Sequence, residues 1–321
     1  MLYPLIFEPI LKERVWGGRK LEQLYRKALA PGVPVGESWE ISDRPGDVSR
    51  IRNGPLAGRD LHWAVEHHRD ELLGGRGLAN GRFPLLVKIL DAADKLSLQV
   101  HPPAALAEKL NGEPKTEMWY IADAEPGAEL FVGLNRGVTR RDFERAIANG
   151  TVSACFHRVK VRAGDAMFLP SGRVHAIGAG LVIFEIQQNS DTTYRVFDWN
   201  RTGLDGKPRP LHVAESMASI DFNDFEPEPV RARLAGDAPV QTQTLVNDPL
   251  FTIEAVTLKP GTQLPLPPNR MQILGVVSGD LRIASGDAPA LLGQGQFALV
   301  PASLAAANLQ TQTGATVLRV E

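Results

Sequence analysis

Gln99, His101, Glu117 and His175 are the residues of this 321-residue chain best suited by type and spacing to hold a metal ion. Around the last of them the chain reads Gly164-Asp-Ala-Met-Phe-Leu-Pro170-Ser-Gly172-Arg-Val-His175. A glycine turn leads into a short apolar strand at Met167 to Leu169, and a P-x-G corner then delivers His175 to a defined point. Gln99 and His101 lie two apart in a strand-like run, so their side chains share a face. Glu117 opens the next apparent strand, on the same side as Trp119 and opposite to Met118 and Tyr120. Two imidazoles, a carboxylate and an amide oxygen suit Zn²⁺ at ~2.0 to 2.2 Å, while iron, manganese, cobalt and nickel accept the same donors. One carboxylate leaves a divalent ion positively charged, able to polarise a hydroxyl or carbonyl oxygen.

Cations accompany the set. Lys88 and Lys115 flank the ligand strands, and Arg195 lies in Asp191-Thr-Thr-Tyr-Arg195-Val-Phe-Asp198. A guanidinium at that place suits bidentate contact with a phosphate or an enediolate, or a salt bridge to Asp191 or Asp198. His62, His67, His68, His157 and His212 stand in no comparable context and are assigned no metal role.

With 35 basic and 37 acidic residues the formal charge is -2, which gives no support for a nucleic-acid partner and leaves room for a small anionic ligand. Cys155 is the single cysteine, so an internal disulfide and multi-Cys zinc modules are excluded. Pro4, Glu8 and Pro9 interrupt the first apolar stretch, and no later run has the length of a membrane span. The expectation is a cytoplasmic protein with no membrane partner.

The elements that must position these groups are mostly strands. Runs bounded by Gly, Pro and Asp at 84–90, 97–101, 118–122, 129–132, 159–162 and 181–187 predict short strands, as in a sandwich or barrel. Three stretches have helical spacing and capping residues: 60–73, with Leu61, Val65, His68 and Leu72 on one face, 139–148, and the shorter 103–110. The Glu-Pro-Glu-Pro segment within 223–243 reads as a connection. Beyond it, Gly295 to Pro301 repeats the Gly, five residues, Pro pattern of Gly164 to Pro170, with Ser303 in place of Gly172 and Ala306 in place of His175. A second barrel without metal ligands is expected there.

The spacing from Gly164 to His175 resembles the second metal motif of the cupins, which are small β-barrels. The resemblance extends to one family, the type I phosphomannose isomerases in their short bacterial form. It is carried by Gly36-Glu-Ser-Trp-Glu-Ile-Ser42, Phe83-Pro-Leu-Leu-Val-Lys-Ile-Leu-Asp91, Leu96-Ser-Leu-Gln-Val-His-Pro102, Lys115-Thr-Glu-Met-Trp-Tyr120, Leu169-Pro-Ser-Gly-Arg-Val-His-Ala-Ile-Gly178 and Glu185-Ile-Gln-Gln-Asn-Ser-Asp-Thr-Thr-Tyr-Arg195. It implies a mainly β fold of two cupin-type jelly-roll barrels with a few helices decorating the first. The expected division is a catalytic domain at 1–225 and a C-terminal cupin-like barrel at 226–321. It further implies interconversion of mannose 6-phosphate and fructose 6-phosphate through a cis-enediol. Zinc would be held by Gln99, His101, Glu117 and His175, and Arg195 would be the catalytic arginine. Trp16, Lys88, Ser97, Lys115 and Glu185 fall on pocket positions, with Lys115 and Glu185 the two candidates for the base. Two departures stand out: Pro-Ala-Ala-Leu-Ala-Glu after Pro102, where short members commonly carry an acidic pair, and Asn200, where glycine is frequent. The competing expectations are an iron-dependent cupin dioxygenase and a non-catalytic sugar-binding cupin. The partner expected is a small phosphosugar, with the protein a monomer or homodimer.

Overall fold

The computed structural model describes residues 2–233, 237–285 and 289–321. Three large antiparallel sheets dominate. A six-stranded sheet runs in the order Ala166–Leu169, Glu117–Ala124, Leu181–Gln188, Leu85–Ala92, Val35–Ile41, Ile10–Gly18. A five-stranded sheet runs Phe156–Lys160, Glu129–Leu134, His175–Ile177, Leu98–Val100, Tyr194–Phe197. Their facing sides share one apolar cluster, in which Trp119, Met167 and Ile183 of the first pack with Leu130, Val132 and Ile177 of the second.

The six-stranded sheet is covered on its other side as well. Val87, Ile89, Met118, Phe184 and Ile186 pack with Phe251, Ile253, Phe297, Leu299 and Leu318 from the C-terminal third. Burial on both faces explains why Leu85–Ala92 and Leu181–Gln188 are apolar almost throughout instead of alternating. It also makes Lys88 and Glu185, set on directly paired positions of these strands, unusual enough to need an account.

The C-terminal residues form a nine-stranded sheet whose main path is Leu5–Ile6, Phe297–Val300, Gln272–Ala284, Ala315–Val320, Phe251–Leu258, Val240–Asp248. The N-terminal Leu5–Ile6 pairs with Phe297–Val300, so the first residues of the chain belong to the last sheet. The local Gly-strand-Pro pattern recurs in this region: Gly164 and Gly295 both have positive φ, +93° and +73°, and each precedes a four-residue strand ending before a proline. Part of the connecting segment, residues 234–236, lies outside the described residues.

The helices follow their caps. Asp60 accepts from the Trp63 N–H and Leu61–Leu73 follows, but His68 has non-helical angles (φ -136°, ψ 29°) that break the regular helical spacing there, and its half-buried ring meets Trp63 edge-on. Thr139 and Asp142 form a reciprocal capping box before Arg140–Ala148. The 103–110 stretch splits into an α-turn at Ala104–Ala107 and a 3₁₀ turn at Glu108–Leu110, stopped by Asn111 at φ 53°. Two short helices escaped the sequence reading, Lys20–Tyr25 and Val213–Ser219. The strand expected at 159–162 is Phe156–Lys160, because Val161 already leaves the Glu129–Leu134 ladder for the turn at Gly164.

Candidate active site

Glu117, His101 and His175 meet between the two facing sheets. Glu117 opens Glu117–Ala124, in register with Leu169 on one side and Gln187 on the other. His175 opens His175–Ile177 opposite Gln99, and His101 directly follows Leu98–Val100. The P-x-G corner ties the two histidines together: the Gly172 N–H donates to the His101 carbonyl at 2.9 Å. Gly172 has φ +93°, a backbone conformation that favours glycine, and a Cβ there would stand in tight contact, 3.2 Å from the Ser219 carbonyl oxygen. Arg173 braces the corner through a two-bond fork to Asp224 at 2.8 Å and a bond to the Phe168 carbonyl at 2.7 Å.

The ligand atoms of the triad lie within 4.8 Å of one another, and all three residues are at most 1% exposed. The tautomers are set by backbone. His101 Nδ1 lies 2.8 Å from the Thr192 carbonyl and His175 Nδ1 lies 2.9 Å from the Arg173 carbonyl. A carbonyl only accepts, so each Nδ1 carries the hydrogen and each Nε2 keeps its lone pair. Burial, reinforced by the Lys115 charge, lowers His101 to about 4; burial also lowers His175 despite the nearby Glu117. Both rings are therefore neutral near pH 7. Their Nε2 atoms face the Glu117 oxygens at 3.6 and 3.5 Å, lone pair to lone pair. Burial pushes the Glu117 carboxyl up, but the Lys115 charge outweighs it and holds the group well below the usual carboxylate range. Neither oxygen accepts a well-formed hydrogen bond among the described residues, although Lys115 Nζ stands 2.6 Å from Oε2. Three converging lone-pair donors fit a divalent cation, and the Lys115 ammonium, with Nζ 2.6 Å from Glu117 Oε2 and 3.3 Å from His101 Nε2, is the positive charge that faces two of them here. Gln99 is at hand, but its carboxamide presents nitrogen to His175 Nε2 at 3.3 Å and oxygen to Ser97; it must turn by half a revolution to become a ligand.

Gln99 and Lys115 also line a cavity of about 510 Å³, and so connect it to the triad. Trp16, Lys88, Ser97, Glu185 and Arg195 line the same cavity, which gathers the catalytic and substrate-binding residues read from the sequence, while His101, Glu117 and His175 are not part of its lining. Lys88 Nζ lies 3.2 Å from Glu185 Oε1, and the Trp119 indole N–H donates to Glu185 Oε2 at 2.8 Å. Glu185 thus orients Lys88, not Arg195. Lys115 is pulled down by burial but pushed up more strongly by Glu117 and Glu185, which favour its ammonium form. The salt bridge considered for Arg195 does not form: Asp198 is taken by Arg201 and Arg209, and Arg195 Nε is buried without a partner among the described residues.

The sequence reading missed Arg14, Glu37 and Arg209, all of which line the cavity. Arg14 grips Glu37 with two bonds of 2.8 and 3.1 Å, and the Trp39 indole N–H adds a third at 2.7 Å. Glu37 lies in the Gly36-to-Ser42 motif, but its strand also carries Ser38 and Glu40, so only the structure shows that it is buried throughout; Arg209 lies in a polar loop and carried no signal. The other histidines lie elsewhere: His62 contacts Asp43, and His67 stacks on Trp63. Among the described residues the triad is the one cluster of three or more potential His, Cys, Asp or Glu ligands. Asn200, the departure from glycine, has φ 55°, a left-handed conformation that asparagine tolerates better than most residues.

The profile of "Phosphomannose isomerase type I, catalytic domain" matches residues 5–134. The chain is 37% identical over 309 residues to mannose-6-phosphate isomerase ManA of Bacillus subtilis, covering 96% of both. It is 35% identical over 303 residues to mannose-6-phosphate isomerase of Streptococcus mutans, covering 94% of this chain and 93% of the relative. Among solved structures, mannose 6-phosphate isomerase from Bacillus subtilis superposes with a TM-score of 0.90 at 28% identity over the full length of both chains.

Proposed function

The chain belongs to the type I phosphomannose isomerases, and on that premise we propose that it interconverts mannose 6-phosphate and fructose 6-phosphate through a cis-enediol. The observation that carries the reading is the buried lone-pair triad joined by Lys115 and Gln99 to a cavity with an unpaired guanidinium. His101, Glu117 and His175, with Gln99 once turned, would hold one divalent ion, which we read as zinc, one of the ions this nitrogen and oxygen donor set suits. Such an ion polarises the sugar oxygen and offsets the charge that develops as the C2 proton leaves.

The protein's own groups supply the rest. A sugar C–H is a very weak acid, so the charge left on oxygen needs a preorganised partner, and Arg195 fills that role. Trp16, Lys88 and Ser97 line the cavity and would hold and orient the sugar. Lys115 and Glu185 are the groups placed to take the proton from C2 and return it to C1. Glu185 is an acceptor steadied by Trp119 and Lys88, whereas Lys115 in its ammonium form is a donor. Exchange of the C2 hydrogen with deuterated solvent separates them: Glu185→Gln and Lys115→Met are compared, and the variant lacking the base loses exchange entirely while the other retains it at reduced rate.

We assign catalysis to residues 1–225 and a scaffold role to a cupin-like barrel at 226–321. The enzyme is read as cytoplasmic, monomeric or homodimeric, with a small phosphosugar as its substrate and neither nucleic acid nor membrane as a partner. Among the described residues, no helix is long and apolar enough to cross a membrane. Neither a dioxygenase nor a non-catalytic sugar binder is favoured by relatives that are isomerases. The test is to supply metal-replete protein with mannose 6-phosphate and follow fructose 6-phosphate, with a chelated sample and Glu117→Ala alongside. Turnover abolished in both is expected; turnover in either at the wild-type rate removes the metal mechanism.

A further inference from the structure

Arg195 and Arg209 occupy the same cavity, and the charges around them do not cancel locally. Arg209 is held by its Nε and Nη2, which donate to the two oxygens of Asp198 at 2.7 and 2.6 Å. That fork leaves Nη1 and the second hydrogen of Nη2 free to donate elsewhere. Asp198 is only 5% exposed and is shared: Arg201 donates to it at 3.1 and 2.9 Å. Arg201 is in turn fixed by the Lys95 carbonyl at 2.6 Å and Asp94 at 3.2 Å. One buried carboxylate therefore serves two guanidiniums, while Arg195 beside them has no ion pair among the described residues. Arg195 and Arg209 both line the cavity, and the Arg195 pKa is lowered first by burial and then by the charge of Arg209. The remaining acids on this part of the wall, Asp191 and Asp205, are exposed and screened by solvent.

We propose that Arg209, clamped by Asp198 next to Arg195, binds the phosphate group of the substrate. This rests on the phosphosugar isomerase reading and adds to it a residue for the anionic end. A phosphate monoester brings up to two negative charges and several acceptor oxygens, which matches a guanidinium held with its free edge presented, while Arg195 remains for the reacting end of the sugar. Asp198 is a positioning residue: it removes the rotamer freedom that an arginine on an exposed loop otherwise loses on binding.

The test measures KM and kcat for mannose 6-phosphate, and the inhibition constant of inorganic phosphate, in metal-loaded wild type, Arg209→Ala and Arg209→Lys. In Arg209→Ala, KM and the phosphate constant should rise together by roughly 10- to 100-fold, the range one or two charge-assisted hydrogen bonds supply, with kcat little changed. Arg209→Lys keeps the charge without the fork and should fall between. An unchanged phosphate constant in Arg209→Ala, or a fall in kcat at constant KM, overturns the assignment. Should Arg209→Ala lose its folded circular dichroism spectrum, an unchanged phosphate constant in Arg209→Lys overturns it equally. If the wild type fails to turn over mannose 6-phosphate, the isomerase reading is what has failed. Calorimetric titration of the same proteins with inorganic phosphate then decides the role of Arg209, weakened binding upholding it and retained binding removing it.

Discussion

Each triad histidine spends its Nδ1–H on a backbone carbonyl, and this leaves Nε2 facing the Glu117 carboxylate with a lone pair. The arrangement is selected by main-chain geometry at Thr192 and Arg173, residues that any side chain could occupy without losing the acceptor. Arg195 is the opposite case, a charge left without an ion pair among the described residues where the protein could have supplied Asp198. Arg195→Ala should retain the wild-type melting temperature within a few degrees and lose at least ~100-fold in kcat, since no structural ion pair is removed and an oxyanion partner is. A variant that keeps its turnover would assign the charge stabilisation elsewhere. Glu37 makes a pH prediction. Burial raises its pKa, but Lys88, Arg14 and the Trp39 N–H bring it down to about 2. An unfolded glutamate titrates near ~4.3, so the folded value is depressed and the stability from this group is present above ~4.3 and lost as pH falls through about 2. The urea midpoint should decline across that window, and less steeply in Glu37→Gln; parallel profiles would remove Glu37 as a cause.

At the scale of elements, the corner between Ala166–Leu169 and His175–Ile177 matters more than either strand. Gly172 sits at φ +93° against the Ser219 carbonyl and bonds the His101 carbonyl, so one glycine sets the separation of two ligands that lie 74 residues apart by number. Gly172→Ala forces the corner to shift and should weaken zinc binding by roughly 10- to 100-fold, the cost usual for a lost supporting contact, as measured by chelator competition. Zinc affinity equal to wild type would show that the corner is not what holds the histidines in place. Much of this level was legible. The capping box at Thr139, the Asp60 cap and the Gly-turn-strand-Pro pattern are local signals, formed by residues within a few positions of one another. The short helices Lys20–Tyr25 and Val213–Ser219 were not, since neither has a side-chain cap hydrogen bond or the length for a periodic signal.

Across the whole molecule, the six-stranded sheet works as a shared wall. One face carries the site; the other packs against C-terminal strands through Phe184, fully buried with its ring 5.3 Å from Phe297 and 5.7 Å from Tyr25. Phe184→Ala should cost about 3–5 kcal/mol and lower the unfolding of both parts together, because the cavity opens in a common core. A calorimetric trace in which only one part is destabilised would mean that the two fold independently. The pairing of Leu5–Ile6 with Phe297–Val300 points the same way, and nothing near either segment announces it. What the amino-acid order determined by itself were the β-rich class, the local turns and caps, and the candidate metal donors, each written in residue type and short spacing. Family-specific motifs added the candidate catalytic and pocket residues. The tertiary structure alone decided which charges cancel. Lys88 meets Glu185, Asp198 meets Arg201 and Arg209, and Arg195 is left over, since pairing between side chains on different strands and loops depends on register and crossing, which no local pattern encodes.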